Sequence, residues 1–255
     1  MSHSYTLKKS LGQHFLHDEQ MCRKIVAQME YIPGRQLLEI GPGGGAISKY
    51  LLAQPGISYK AIEIDQEKVS YLEHTYPEIK GKLIHQDILK ASMPFEGTFS
   101  VIGNFPYNIS SPILFVMLDW EPHVAEIVGM FQKEVAQRVA AGPGSKTYGI
   151  LSVLCQAYFK VEYLFDVPPK CFTPPPQVMS GIIRLVNTGN PYQIKEFLKF
   201  KQLVKTAFNQ RRKTLRNALK GILPPPAWTD KLLDKRAEQL SVAEFVYLYE
   251  TYLLK

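Results

Sequence analysis

Gln36-Leu37-Leu38-Glu39-Ile40-Gly41-Pro42-Gly43-Gly44-Gly45 is the stretch on which the fold turns. A short apolar run that ends in a glycine cluster and leads into the helix-like segment Ala46–Ala53 reads as a buried strand, a tight turn and a helix. Glycines at such a turn let the backbone approach a ligand closely. In open α/β sheets, ligands bind at the carboxyl ends of the strands, where the strand order reverses. Taken alone, this stretch leaves other readings open. Gly41-x-Gly43-x-x-Ala46 also fits a dinucleotide fingerprint, and the glycines could serve the turn alone.

Working outward, the same alternation recurs. Ser58–Ile64, Lys82–Asp87, Phe99–Phe105 and Glu126–Phe131 read as further buried strands, and Gln66–Tyr76, Pro112–Leu118 and Lys133–Ala140 as helices between them. Strands interleaved with helices imply crossover units and a doubly wound, mostly parallel sheet. Phe159–Val167 and Ser180–Val186 are two more strands without a helical pattern between them. The prolines at 168, 169 and 174–176 make their connection a rigid, non-helical loop. A Rossmann-like α/β sheet closed by an antiparallel terminal hairpin is the methyltransferase variant of this architecture. After the turn-rich Thr188-Gly189-Asn190-Pro191 the pattern becomes helical over Tyr192–Gly221, Trp228–Leu233 and Val242–Leu254. The expected division is therefore an α/β catalytic domain over residues 1–187 and a small all-α domain over 192–255.

The 255 residues suffice for one full core and a small second domain, and 45% apolar with 21% charged residues is ordinary for a water-soluble chain. No apolar run approaches the ~20 residues needed to span a bilayer. Met1–Ser10 is polar and basic, unlike a secretory signal. Cys22, Cys155 and Cys171 lie too far apart for a metal-ligand spacing and are expected as free thiols in the cytoplasm. The net charge of +7 is concentrated: Lys195–Lys220 carries nine basic residues and one acid, leaving the rest of the chain nearly neutral. A basic element on a neutral body is the footprint of a polyanion binder, usually of nucleic acid, although a solvated helix face has the same composition. If Phe197–Ile222 were one helix, Phe197, Val204, Phe208, Leu215 and Ile222 would form an apolar stripe. Lys201, Lys205, Arg212, Arg216 and Lys220 would line the stripe beside it. An interruption at Asn209-Gln210 would shift Arg211 and Arg212.

Three strand ends carry candidate ligand contacts. The Gly41 and Gly43 turn ends the first strand. Glu63 ends the second, where its two oxygens could accept both hydroxyls of a ribose, unless it is a surface carboxylate. Asp87 ends the third, placed for an adenine amine or for capping the next turn. Jointly they point to an adenosine-containing cofactor. Asn104-Phe105-Pro106-Tyr107 at the fourth strand end narrows the chemistry. An adenine N6 amine is a poor nucleophile until its lone pair is drawn out of the ring system. The Asn104 side-chain oxygen and the Phe105 carbonyl could each accept one N6–H, Pro106 would stiffen the loop, and Tyr107 could stack on an extruded base. An ordinary β-turn is the alternative. Positioning for in-line displacement needs no metal and no nucleophilic residue.

These segments resemble the bacterial small-subunit (16S) ribosomal RNA adenine N6,N6-dimethyltransferase family. The resemblance rests on Lys9-Ser-Leu-Gly-Gln-His-Phe-Leu16, the Gly41 turn, Asn104-Phe-Pro-Tyr-Asn-Ile-Ser110, Gln132-Lys-Glu134 and Ser145-Lys-Thr-Tyr-Gly149, with Phe172-Thr-Pro-Pro-Pro-Gln-Val178 and Phe208-Asn-Gln-Arg-Arg-Lys213. The last two set it apart from the related large-subunit enzymes that confer antibiotic resistance. The resemblance implies S-adenosylmethionine as cofactor, held by His14, Leu16, Gly41, Gly43, Glu63, Asp87 and Asn104, although many relatives carry Asn where this chain has His14. It implies that Phe172 closes over the target base opposite Tyr107; read by itself, Phe172 could equally be an apolar plug. From the concentrated basic charge, and not from the resemblance, Lys201, Lys205, Arg211, Arg212, Lys213 and Arg216 are the expected RNA contacts. The implied substrate is a pair of adjacent adenines near the 3′ end of small-subunit rRNA in a pre-30S particle, and the implied enzyme is a monomer without membrane association. A non-catalytic RNA-binding factor on the same fold is the rival class.

Overall fold

The chain enters through a two-residue strand, β1 (Phe15–Leu16), and α1 (Glu19–Val26), whose first turn is capped by Asp18 accepting from Met21 N at 2.9 Å. The computed structural model describes residues 14–254. The first part of the segment Lys9–Leu16 and the basic terminus Met1–Ser10 lie outside them. The described chain divides into two units: residues up to Ala136 with Glu162–Val186, and Gln137–Val161 with the residues from Asn187 onward.

In the first unit β2 (Gln36–Ile40), β3 (Ser58–Glu63), β4 (Leu83–His85), β5 (Phe99–Asn104) and β6 (Val124–Gln132) are parallel to their neighbours. Between them run α2 (Ser48–Leu52), α3 (Gln66–Thr75) and α4 (Ser110–Asp119), and α5 (Lys133–Ala140) follows β6. α6 (Ile150–Gln156) precedes β7 (Phe159–Val167), β8 (Phe172–Thr173) and β9 (Ser180–Asn187). The seven-stranded sheet has the order β4-β3-β2-β5-β6-β9-β7, with β9 antiparallel to β6. The order reverses between β2 and β5, so their carboxyl ends open a crevice of the kind that binds ligands. The central strands are buried on both faces, which is why they read as continuous apolar runs. Buried carboxylates interrupt them; on β6, Glu126 is 2% exposed and is held by Arg184 Nε of β9 at 2.5 Å and by Glu30 N at 3.1 Å.

The expected hairpin is present as the β9–β7 edge, but its proline-rich connection does more than turn. β8 leaves the large sheet and pairs antiparallel with β1, Leu16 opposite Phe172 and Phe15 opposite Thr173. A ladder of two residues thereby ties the start of the described chain to the loop after β7.

The second unit corrects two expectations. Residues 137–161 belong to it, because α6 is buried almost throughout and packs on α7 (Phe197–Asn209). The basic segment is also not one helix. α7 stops at Asn209, Gln210–Lys213 forms a turn, and α8 (Leu215–Ala218) starts anew. The buried face of α7 is therefore Phe200, Leu203, Val204 and Ala207, at i, i+3, i+4 and i+7, not the stripe through Phe197 and Ile222. Phe200 meets Tyr249, and Phe208 meets Phe245, both from α9 (Val242–Leu253). Trp228–Leu233, expected as a helix, forms two 3₁₀ turns separated by Asp230. Cys22, Cys155 and Cys171 are buried free thiols. Among the described residues no helix is long and apolar enough to cross a membrane.

Candidate functional site

The site is built where β2 turns into α2. Gly41, Gly43 and Gly45 adopt φ of 67°, 59° and 80°, a region that glycine enters without the Cβ penalty. Gly45 is doubly constrained, because a Cβ there would run into the Tyr76 ring. Gly45 N donates to Pro42 O at 2.8 Å and Gly41 N to Ile62 O at 2.9 Å, so the turn is locked onto β3. From the end of β3, Glu63 reaches back into it. Its Oε2 accepts from Gly43 N at 3.0 Å, and its Oε1 accepts from Ile64 N and Asp65 N, each at 3.0 Å. Glu63 is thus a buried, pre-oriented acid and not a surface carboxylate. Asp87 caps a 3₁₀ turn, its Oδ1 accepting from Leu89 N at 2.9 Å, and the residue also lines the same cavity.

That cavity is walled by the Gly41–Gly44 turn, Glu63, Asp87, Leu16, His14 and the segment Asn104–Ile109. Ten of the expected site residues therefore converge on one space. In the Asn104–Tyr107 loop, Asn104 Nδ2 donates to His14 O at 3.4 Å, which leaves Oδ1 as the carboxamide's acceptor. Phe105 sends its ring the other way, fully buried and edge-on to Phe131 at 5.1 Å. A Cβ at Gly103 or Gly129 would collide with that ring, so both glycines make room for the anchor that holds the loop down. Tyr107 shares a hydrogen bond with Ser180 Oγ, and burial keeps its hydroxyl above the ordinary tyrosine range and neutral.

Phe172 is the correction. It is 2% exposed, packs in the apolar cluster with Leu16, Cys171 and Ile182, and does not line the cavity. Pairing with β1 turns its side chain into the core, as the apolar-plug alternative had it. The ring that lies against Tyr107 belongs to His14, with centroids 5.6 Å apart.

Two charged cavity residues carry no sequence expectation. Lys68 on α3 is 5% exposed and lines the cavity beside Gly43. Glu39, inside the deciding run, is 1% exposed and accepts from Ser48 Oγ at 3.0 Å and from the Tyr59 hydroxyl. Its signal was available, since a carboxylate within Leu-Leu-x-Ile needs partners. Burial pushes its pKa up to about 7, against the two hydroxyl donors that pull it down. A folded-state pKa above the unfolded value makes protonation favour the fold, so this contribution is full below the unfolded pKa of about 4.5 and is lost as pH rises through 7. Glu39→Gln should therefore gain about 1–3 kcal/mol relative to the parent between pH 5 and pH 8. Urea unfolding at the two pH values checks this; a constant difference would mean that Glu39 does not titrate in that window.

In the second unit the basic residues separate. Arg211 Nη2 donates to Lys146 O at 2.6 Å and to Ser145 O at 3.4 Å, and its Nε lies 3.9 Å from Glu238. Arg216 pairs with Asp234 at 2.6 Å and donates to Trp228 O. Both guanidinium groups, expected to meet phosphates, are committed to internal carbonyls and carboxylates. Arg212 and Lys213, in the turn after α7, and Lys205 on α7 are exposed, and Lys201 lies over the Phe197 ring.

The sequence model of the family described as ribosomal RNA adenine dimethylase matches residues 4–253. The chain belongs to the ribosomal RNA adenine dimethylase family. Among similar dimethylase-family sequences, the ribosomal RNA small subunit methyltransferase A of Cytophaga hutchinsonii is 51% identical over 245 residues, covering 93% of this chain and 94% of that protein. That of Parabacteroides distasonis is 48% identical over 245 residues, with 94% and 92% covered. A dimethyladenosine transferase from Plasmodium falciparum superposes with a TM-score of 0.81 at 25% identity, covering 93% of this chain and 97% of that one. The 23S rRNA methyltransferase ErmE shares the fold, with a TM-score of 0.69 at 22% identity over 92% of this chain and 99% of that one. The doubly wound sheet is accordingly that of the class I methyltransferases.

Proposed function

We propose that this dimethylase transfers methyl groups from S-adenosylmethionine to N6 of two adjacent adenines near the 3′ end of small-subunit rRNA, giving N6,N6-dimethyladenosine. The observation that carries it is the single cavity shared by the Gly41 turn, Glu63, Asp87 and the Asn104–Tyr107 loop. The residues fit the cofactor: three left-handed glycines clear the turn of side chains, Glu63 is fixed for a ribose, and Asp87 lies on the adenine side. When bound, the cofactor supplies a sulfonium-activated methyl group.

The remaining work falls to the loop. Asn104 Oδ1 and the Phe105 carbonyl accept the two N6 protons, which draws the nitrogen out of conjugation and frees its lone pair. The buried Phe105 ring keeps the carbonyl in place, and Tyr107 supplies the stacking face. Leu16 and the His14 backbone close the cofactor side. Such a site lowers the barrier by positioning, not by a nucleophile. The decisive assay is methyl transfer to unmethylated small and large subunits offered in parallel, with mass spectrometry of the rRNA nucleosides of each. Dimethyladenosine in small-subunit rRNA supports the proposal; modification of large-subunit rRNA alone, or none, overturns it. A pre-30S particle as the partner, a monomeric enzyme and a cytoplasmic location follow from the same substrate.

Lys201, Lys205, Arg212 and Lys213 are the proposed phosphate contacts, with Arg211 and Arg216 supporting them from within the unit. Replacing Arg212 and Lys213 by Gln should reduce the slope of log affinity for RNA against log salt by about 0.7–0.9 per lost contact. Arg216→Gln should leave that slope unchanged and lower stability instead. Filter binding across a salt series decides; equal slopes for all variants would make the turn after α7 a merely solvated surface.

A further inference from the structure

We infer that the His14 imidazole is a placeholder for the target base, lying on Tyr107 in the RNA-free enzyme and yielding that face when an adenine enters. The inference rests on the assignment of Tyr107 as the base platform. Tyr107 is fixed: its hydroxyl is bonded to Ser180 Oγ, and Ser110 Oγ donates to its carbonyl at 3.2 Å. His14 lies against it with ring centroids 5.6 Å apart and planes inclined by 30°, a stacked geometry. His14 Nδ1 is 2.8 Å from Pro174 O. A carbonyl can only accept, so Nδ1 carries a proton and the ring is anchored to the proline loop. The backbone of the same residue accepts from Asn104 Nδ2. His14 thus touches both halves of the base-recognition loop, the backbone orienting the acceptor and the side chain covering the platform.

The imidazole is a five-membered heteroaromatic ring, the size of one half of a purine. A waiting platform covered in this way keeps its apolar face out of water, and the cover is held by one stack and one hydrogen bond. An adenine offers a larger π surface and, through N6, a hydrogen bond to Asn104 Oδ1 that the imidazole does not make. Exchange therefore favours a base that can satisfy both contacts and disfavours a pyrimidine or an N6-blocked purine. Residue 14 becomes a positioning residue that taxes base entry, with its effect on KM and not on the transfer step.

The test combines kinetics on unmethylated small subunits with histidine and tyrosine ring signals in NMR, using adenosine monophosphate as the base probe on enzyme whose cofactor site is first saturated with S-adenosylhomocysteine. His14→Ala, which keeps the backbone carbonyl that accepts from Asn104 Nδ2, should lower KM by about two- to tenfold, the range that one aromatic pair is worth. His14→Phe, which keeps a ring over Tyr107, should not lower it. In the parent enzyme, adenosine monophosphate should shift the Tyr107 signals and at the same time move the His14 ring protons out of the Tyr107 ring current. Tyr107 shifts with His14 unmoved would overturn the exchange while leaving the platform in place. No Tyr107 shift at saturating probe would overturn the platform, and the exchange with it. A raised KM for His14→Ala would mean that the imidazole helps hold the base, which also overturns the inference.

Discussion

Asn104→Ala should reduce methyl transfer by about 10²–10³-fold, the scale for removing one oriented hydrogen-bond group at a reacting centre, while small-subunit binding stays near normal. Asn104 sits at the end of β5 with Nδ2 committed to His14 O, so the carboxamide is held with Oδ1 as its acceptor. Its bond to N6 strengthens as the nitrogen becomes tetrahedral, and an interaction of that kind acts on the rate more than on binding. The exposed cations proposed to hold RNA lie in the other unit, in and around the turn after α7. Asn104→Asp sharpens the case, because it keeps an acceptor but loses the donor to His14 O, and should recover only part of the rate. Transfer rate and particle co-sedimentation are to be measured on one preparation. If both fall together, Asn104 serves recognition or folding and not the transfer step.

Glu63→Ala should cost both cofactor affinity and stability. The affinity loss is expected at about 1–3 kcal/mol for a charged hydrogen-bond partner. The structure adds the second effect. Three backbone amides, Gly43 N, Ile64 N and Asp65 N, point at one buried carboxylate. Alanine strands all three, and unsatisfied buried donors should lower the unfolding free energy by at least about 2 kcal/mol. Glu63→Gln separates the two roles: it keeps one acceptor oxygen and turns an NH₂ group against the remaining amides, so stability partly returns while affinity does not. Calorimetry and urea unfolding on both variants read the two quantities independently. Undiminished cofactor affinity in the alanine variant would reduce Glu63 to a clamp on the glycine turn.

Local pattern made the parallel half of this chain legible. β2, β3 and β5 are largely buried, so each shows as an apolar run closed by Gly41, Glu63 or Asn104, and those closing residues line the cavity. α6 leaves no such mark for a related reason: apart from Ser152, Ile150–Cys155 is apolar, and a helix buried all round has no polar face to set a period. α1 went unmarked as well, although Asp18 and Glu19 are ordinary start signals.

The sequence by itself determined the sheet, the glycine turn, the strand-end residues that line the cavity and the family, because each depends on residues within a few positions of one another. Only the tertiary structure decided what distant residues do to them. The β1–β8 ladder joins Leu16 to Phe172, buries the ring expected over the base, and brings His14 onto Tyr107 in its place. The break in the basic helix sets Arg211 and Arg216 against carbonyls and carboxylates of their own unit that no helical wheel could have supplied. A side chain's partner across 65 or 160 residues is set by which surfaces the core brings together, and local pattern does not encode that.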